Sequence, residues 1–180
     1  MSSITAVPLQ PVKRSVLVYL WVGIAIAVLG AFALAWMAPL DPASSFLAKN
    51  RGAPGVIQTA SGLQYEILTP GKGGVSPTDT DVALVNFEGK LVDGASFGKS
   101  QQPTPVPVAT PDDKAASQGI PRGFSEALKL MTKGETLRVW IPSRLAYGAE
   151  DQRDDQGKVV IPGKSTLVFD IELVDFQPQS

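Results

Sequence analysis

From residue 16 to residue 38 the chain carries no charged side chain. A helix rises about 1.5 Å per residue, so roughly 20 residues cross the hydrocarbon core of a bilayer, and this run is long enough to span it. It shows no polar face of the kind that an amphipathic core helix presents. Tyr19 and Trp21 sit near one end and Trp36 near the other, where amphipathic rings favour the membrane interface. Lys13 and Arg14 precede the run, whereas Asp41 is the nearest charge after it and Lys49 and Arg51 lie further on. That asymmetry predicts a single-pass membrane protein with a cytoplasmic N-terminus and a periplasmic or otherwise extracytoplasmic C-terminal domain. A cleaved signal peptide is the alternative: Ala33-Leu34-Ala35 resembles a small-residue cleavage site, although the run exceeds the usual apolar region of about 7–15 residues.

The expected organisation is a tail over 1–14, a transmembrane helix over 15–38, a linker over 39–60 and one domain over 61–177. The linker is rich in Ala, Pro, Gly and Ser, and a short helical turn is expected at 43–49. The chain of 180 residues has a formal net charge of −1 and no basic stripe, which argues against a nucleic-acid partner. It contains neither cysteine nor histidine. A disulfide framework, a thiol nucleophile, a His-based triad and a His-ligated metal are therefore excluded, and no cofactor or metal is expected.

After residue 61 the pattern changes to short strands. One is expected over 62–68 and another over 81–91, with alternation at Val82/Leu84 and Val85/Phe87 and a turn at Asp93-Gly94. The spacing of Phe124, Ala127, Leu128 and Met131 (i, i+3, i+4, i+7) predicts a short helix over 123–133, with Gly134 as its left-handed cap. Leu137, Val139 and Ile141 share one face of a strand over 136–141. In the last strand Leu167, Phe169, Ile171 and Leu173 form a core face opposite Val168, Asp170 and Glu172. Several strands with one helix read as an α+β fold, an antiparallel half-barrel sheet wrapped around one short helix.

Five stretches, read together, carry a family resemblance. They are Ser61-Gly62-Leu63-Gln64-Tyr65; Val85-Asn86-Phe87-Glu88-Gly89-Lys90-Leu91-Val92-Asp93-Gly94 with Phe97 beyond it; Gly123-Phe124-Ser125-Glu126-Ala127-Leu128 through Gly134; Ile141-Pro142-Ser143 with Leu145-Ala146-Tyr147-Gly148; and Ile161-Pro162 before Thr166-Leu167-Val168-Phe169-Asp170-Ile171-Glu172-Leu173. In this order and spacing the chain resembles the FKBP-type peptidyl-prolyl cis-trans isomerases. The resemblance implies an FKBP-like half-barrel with a shallow apolar pocket between sheet and helix. It further implies binding of proline-containing unfolded or flexible polypeptides and catalysis of rotation about the X-Pro bond. Macrolide inhibitors are candidate ligands of the same pocket.

Carried onto this sequence, the family's pocket has Phe124 as the floor and Phe87, Phe97 and Phe169 as walls. Tyr147 aims its hydroxyl at a peptide carbonyl. Val106 and Ile120 line the rim, with Ile161 on a far loop. Several positions depart from the family pattern. Gly98 follows Phe97 where many members have aspartate; Phe87 replaces a tyrosine and Phe124 a tryptophan; Val106 replaces a phenylalanine. Pro121, which has no N–H, stands where a backbone donor is common; a register shift of one residue would make Ile120 that donor. Two long loops, 109–119 and 150–158, are expected to border the pocket. Three readings remain open on the sequence: an active isomerase that assists folding, a tethered binding or chaperone module with little isomerase activity, and a membrane scaffold.

Overall fold

The computed structural model describes residues 42–109 and 119–178, together with Trp21 and Ile24. The chain divides into two compact units, Met1–Pro39 and Leu40–Ser180. In the first, Trp21 and Ile24 are helical and exposed; the rest of the expected membrane span over 15–38 lies outside the described residues. Among the described residues no helix is long and apolar enough to cross a membrane.

In the second unit the chain forms α1 (Pro42–Asn50), β1 (Ile57–Gln58), β2 (Gln64–Thr69), β3 (Asp81–Leu91), β4 (Ser96–Lys99) and β5 (Thr104–Pro107). It continues through α2 (Arg122–Leu130), β6 (Thr136–Ile141), a 3-10 turn (Ser143–Leu145), β7 (Gln152–Arg153), β8 (Val159–Ile161) and β9 (Leu167–Pro178). Among the described residues β1 to β6 and β9 build one antiparallel sheet in the order β1-β2-β6-β9-β3-β4, with β5 also paired to β3. The strand β9 lies at its centre, running opposite β3 from Leu91↔Leu167 to Asp81↔Pro178 and opposite β6 from Ile141↔Leu167 to Thr136↔Glu172.

Alternation decides which face is buried. Leu167, Phe169, Ile171 and Leu173 on β9, and Leu137, Val139 and Ile141 on β6, are all at most 4% exposed. The helix α2 closes this face with Phe124, Ala127 and Leu128, also nearly inaccessible. On β3 the buried phase is Asp81, Ala83 and Val85, continuing to half-buried Phe87 and buried Gly89. Val82 and Leu84, whose alternation was also expected, face the other way and share a small cleft with Pro105 and Phe176. A bulge lies beside them: Leu84 pairs with Asp175 and Val85 with Leu173, leaving Val174 as the extra residue of β9.

One helix ends earlier than expected, and the expected helical turn in the linker is a longer helix. The helix α2 ends at Leu130 rather than 133, because Met131 turns into extended backbone while keeping its side chain fully buried. Thr132 then takes its hydrogen bonds from Glu135, whose carboxylate Oε2 accepts its N–H (2.7 Å) and hydroxyl (2.9 Å). Gly134 is left-handed as expected (φ 80°), but in the turn that enters β6, where its N–H donates to the Leu173 carbonyl (2.7 Å). The segment read as linker holds a full helix, α1, with Ala43, Phe46, Leu47 and Asn50 half-buried at helical spacing. Gln64 holds its end: the side-chain amide accepts from Asn50 Nδ2 (2.9 Å) and donates to the Leu47 carbonyl (2.9 Å) and to Gln58 Oε1 (3.1 Å). A glutamine only 2% exposed needs such partners, and α1 supplies two of them.

The charged segment 150–158 is a built hairpin. Asp154 Oδ1 accepts the N–H groups of Gln156 (3.0 Å) and Lys158 (2.9 Å), and Gly157 takes the left-handed position (φ 78°). Most of the other long loop, 110–118, lies outside the described residues.

Candidate functional site

Between the sheet and the first turn of α2 lies a cup of about 240 Å³. Phe124 forms its floor, and two glycine positions explain how the rings come together. Pro121 starts α2 in extended backbone (φ −60°, ψ 142°), and its carbonyl accepts the N–H of Phe124 at 2.9 Å. Gly123 lets the helix approach β6 closely, since a Cβ there would lie 2.5 Å from Ile141 Cγ2 and 3.3 Å from Leu145 Cβ. Gly89 sits opposite Phe169 in the β3–β9 ladder, and a Cβ there would meet Phe97 Cε2 at 2.5 Å and Phe169 Cε1 at 2.8 Å. The missing side chain is what leaves room for both rings over β3.

Phe169 is the hub of the aromatic set. It makes edge contacts with Phe124 (centroids 5.2 Å apart, planes at 81°), Phe97 (5.4 Å, 84°) and Phe87 (6.3 Å, 63°). Phe87 also meets Phe124 edge-on at 5.9 Å and 84°. Such T-shaped pairs set a positive ring edge against a negative face and contribute about 0.5–1.5 kcal/mol each beyond area burial. Phe87 is fixed from the backbone side as well: its N–H donates to Ser100 Oγ (2.9 Å), and its carbonyl accepts the Ser100 N–H (3.0 Å).

Val106 on β5 and Ile120 before α2 complete the apolar lining, with Gly98, Gly119 and Pro121 at the rim. Tyr147, just after the 3-10 turn, brings in the one side-chain polar group among the described lining residues. Its hydroxyl donates to the Gly119 carbonyl at 3.0 Å, and burial pushes its pKa above the ordinary 10.0. At neutral pH it is therefore a protonated donor. Among the described residues none of the lining is charged. Among the described residues no cluster of acidic side chains is placed to hold a metal ion.

Of the residues singled out in the sequence, Phe87, Phe97, Phe124, Phe169, Tyr147, Val106 and Ile120 all line this cup. Ile161 does not. It lies on β8 opposite Gln152, is 5% exposed, and belongs to the hydrophobic core, because the alternation of β8 puts Val160 outside and Ile161 inside. Sequence reasoning did not single out Gly119, whose carbonyl engages the tyrosine, or Gly89. The Gly89 signal was present: an isolated glycine inside a strand pattern marks a close approach of side chains or backbone.

A family model described as FKBP-type peptidyl-prolyl cis-trans isomerase matches residues 73–174. A second, described as a domain amino terminal to FKBP-type peptidyl-prolyl isomerase, matches residues 38–67, the stretch that holds α1 and β1. The chain is 39% identical over 134 residues to a probable FKBP-type peptidyl-prolyl cis-trans isomerase FkpA of Neisseria meningitidis, covering 74% of this chain and 45% of that protein. It is 34% identical over 138 residues to the peptidyl-prolyl cis-trans isomerase Mip of Coxiella burnetii, covering 74% of this chain and 53% of that protein. The chain thus spans about half the length of these curated relatives. Among solved structures it resembles a peptidyl-prolyl cis-trans isomerase from Pseudomonas syringae pv. tomato (TM-score 0.64, 34% identity, 78% of this chain and 93% of that one). It also resembles FkpA from Escherichia coli (TM-score 0.62, 30% identity, 94% of this chain and 75% of that one).

Proposed function

The chain belongs to the FKBP-type peptidyl-prolyl cis-trans isomerase family, and we propose that its cup binds proline-containing polypeptides and accelerates rotation about the X-Pro bond. The observation that carries this reading is the cup itself, uncharged among the described residues, with four phenylalanine rings linked by edge contacts through Phe169 and one tyrosine hydroxyl at its rim.

The chemistry asks for little else. Rotation must cross a barrier of about 18–20 kcal/mol set by amide resonance, and no covalent bond breaks. The twisted amide has lost resonance, so its carbonyl is less polar than in the planar ground state. A dry aromatic cup disfavours the planar form relative to the twisted one, which is differential binding of the transition state. The proline ring would pack on Phe124, between Phe87, Phe97 and Phe169. The Tyr147 hydroxyl would exchange the Gly119 carbonyl for a peptide carbonyl, aiming a preorganised donor.

The test is cis-to-trans relaxation of a short X-Pro peptide with the full chain in detergent. Acceleration that is lost in a Phe97→Ala, Tyr147→Ala double variant supports the reading. A folded protein that leaves the relaxation rate unchanged would sink it, and measured peptide binding without rate enhancement would select a binding or chaperone module. Two observations favour that second reading: Pro121 offers no N–H to a ligand, and Gly98 offers no side chain to the bound carbonyl. A macrolide inhibitor would compete with the peptide for the same cup.

We further propose that residues 15–38 tether this domain to a membrane and set it on the extracytoplasmic side. The uncharged run and its preceding Lys13 and Arg14 support this. A reporter fused to the C-terminus that is active only in the cytoplasm would refute the orientation.

A further inference from the structure

We infer that Arg144 and Glu126 are positioning residues that hold the Tyr147 hydroxyl in register with the Phe124 floor. The catalytic consequence rests on the isomerase reading above; the positional one does not.

Phe124 and Tyr147 lie on separate pieces of chain, and hydrogen bonds joined by short stretches of backbone form a closed circuit between them. One side of the circuit is the rim itself. Tyr147 donates to the Gly119 carbonyl (3.0 Å), and Gly119 leads through Pro121 into α2, which carries Phe124. The other side passes behind the cup. Glu126, two residues beyond Phe124, accepts from Ser61 Oγ at both carboxylate oxygens (2.8 Å each) and from Thr59 Oγ1 (2.8 Å). These residues sit in a tight loop: the Thr59 N–H donates to the Leu63 carbonyl (2.9 Å) and the Gly62 N–H to the Thr59 carbonyl (3.0 Å). The Ser61 carbonyl of this loop accepts from Arg144 Nη2. Arg144 belongs to the 3-10 turn, where the Ser143 carbonyl accepts the N–H groups of Ala146 (3.0 Å) and Gly148 (2.8 Å) on either side of Tyr147.

Gly62 supports the same assignment. It is left-handed (φ 86°), and a Cβ there would collide with the Arg144 guanidinium. The loop is shaped to admit that group. Arg144 is not needed to keep its turn folded, since buried Ala146 and half-buried Leu145 already anchor the turn in the core. What the exposed Arg144 adds is the tie to the loop that Glu126 holds on α2.

The experiment uses the full chain in detergent, labelled with 3-fluorotyrosine. The chain has three tyrosines, so loss of one fluorine signal in Tyr147→Phe assigns the resonance. Arg144→Met, and separately Glu126→Gln, is expected to shift or broaden the Tyr147 signal while leaving the melting temperature essentially unchanged for Arg144→Met. Arg144→Lys, which retains a donor, restores most of the signal. Arg144→Met lowers kcat/KM by about three- to tenfold in the wild type but has no further effect in a Tyr147→Phe background, as a coupled pair requires. An unmoved Tyr147 resonance, or additive effects of the two substitutions, overturns the inference. Absence of isomerase activity in the wild type would remove the proposed function, and the fluorine measurement would still decide the positional role.

Discussion

Adding one methyl group at Gly89 tests whether the cup is shaped by close packing across β3. In Gly89→Ala the new Cβ would lie 2.5 and 2.7 Å from Phe97 Cε2 and Cζ, and 2.8 Å from Phe169 Cε1. Carbon atoms rest about 3.5–4.0 Å apart, so the rings must yield by roughly 1 Å. Phe169 has little room to do so: it is 4% exposed and in edge contact with three other rings. Phe97 is half-buried and would swing instead, opening the wall. Overpacking of this kind costs about 1–3 kcal/mol, and the lost Phe97–Phe169 edge contact lies within that range. For a domain of this size the melting temperature should fall by roughly 5–10 °C. X-Pro relaxation should slow about tenfold or more if the wall contributes some 1.4 kcal/mol to the transition state. Calorimetry and the peptide assay read the two effects separately. Gly98→Ala is the control, because a Cβ there meets no atom within 4 Å and should leave the melting temperature unchanged. If Gly89→Ala melts within a degree of the wild type and isomerises equally well, the rings are not held by that close approach and the packing account of the cup is wrong.

Phe124→Ala removes a ring that is 3% exposed and should cost about 3–5 kcal/mol in chemical denaturation, with peptide binding lost; a cost below about 1 kcal/mol would mean the floor can collapse without penalty. Gln64→Leu deletes the partners of Asn50 and Leu47, so amide hydrogen exchange should rise across α1 but not across β9; unchanged protection of α1 would show that Phe46 and Leu47 alone hold it. The rate of X-Pro relaxation should be flat from pH 6 to about 9, since the chain has no histidine and Tyr147 stays protonated above the ordinary 10.0; a bell-shaped profile would point to an unrecognised acid or base. Hydrogen bonds from Lys90 and Lys133 lower the pKa of Glu88 and Asp175 below 4.5 and 3.8. Their contributions to stability are therefore present above those values and lost as pH falls through the lowered folded ones. Lys90→Met with Lys133→Met should flatten the acid limb of the stability curve, and an unaltered limb would show that these exposed pairs contribute nothing measurable.

Much of the sheet could be read locally. The bounds of β3 and β6 coincide with the expected 81–91 and 136–141, and the buried faces of β6 and β9 follow the alternation of Leu137, Val139 and Ile141 and of Leu167 to Leu173. A strand that buries one face must alternate, so the pattern is written into consecutive residues. The apolar stripe of α2 was legible for the same reason at a period of 3.6. Most pocket-lining positions were also accessible, through the resemblance rather than through periodicity. Phe87, Phe124 and Phe169 by themselves look like any core aromatic; in the structure Phe124 and Phe169 are core and cup at once, and half-buried Phe87 packs against them.

What the tertiary structure alone decided are features whose two halves are far apart in sequence. The helix α1 is ordered against Gln64, a buried amide whose partners lie on another element, so its composition reads as linker. Ile161 joins the core instead of lining the cup from a far loop, because it sits on β8, paired with Gln152, with its side chain on the buried face. The extra residue Val174 appears only when β3 and β9 are paired. Gly119 meets Tyr147, and Ser61 meets both Glu126 and Arg144, across separations that no local pattern encodes. Periodicity fixes which side of an element faces inward, because that depends on neighbours a few residues away. Which groups then satisfy one another across the cup depends on sheet closure, bulge and turn together, and these exist only once the chain has folded.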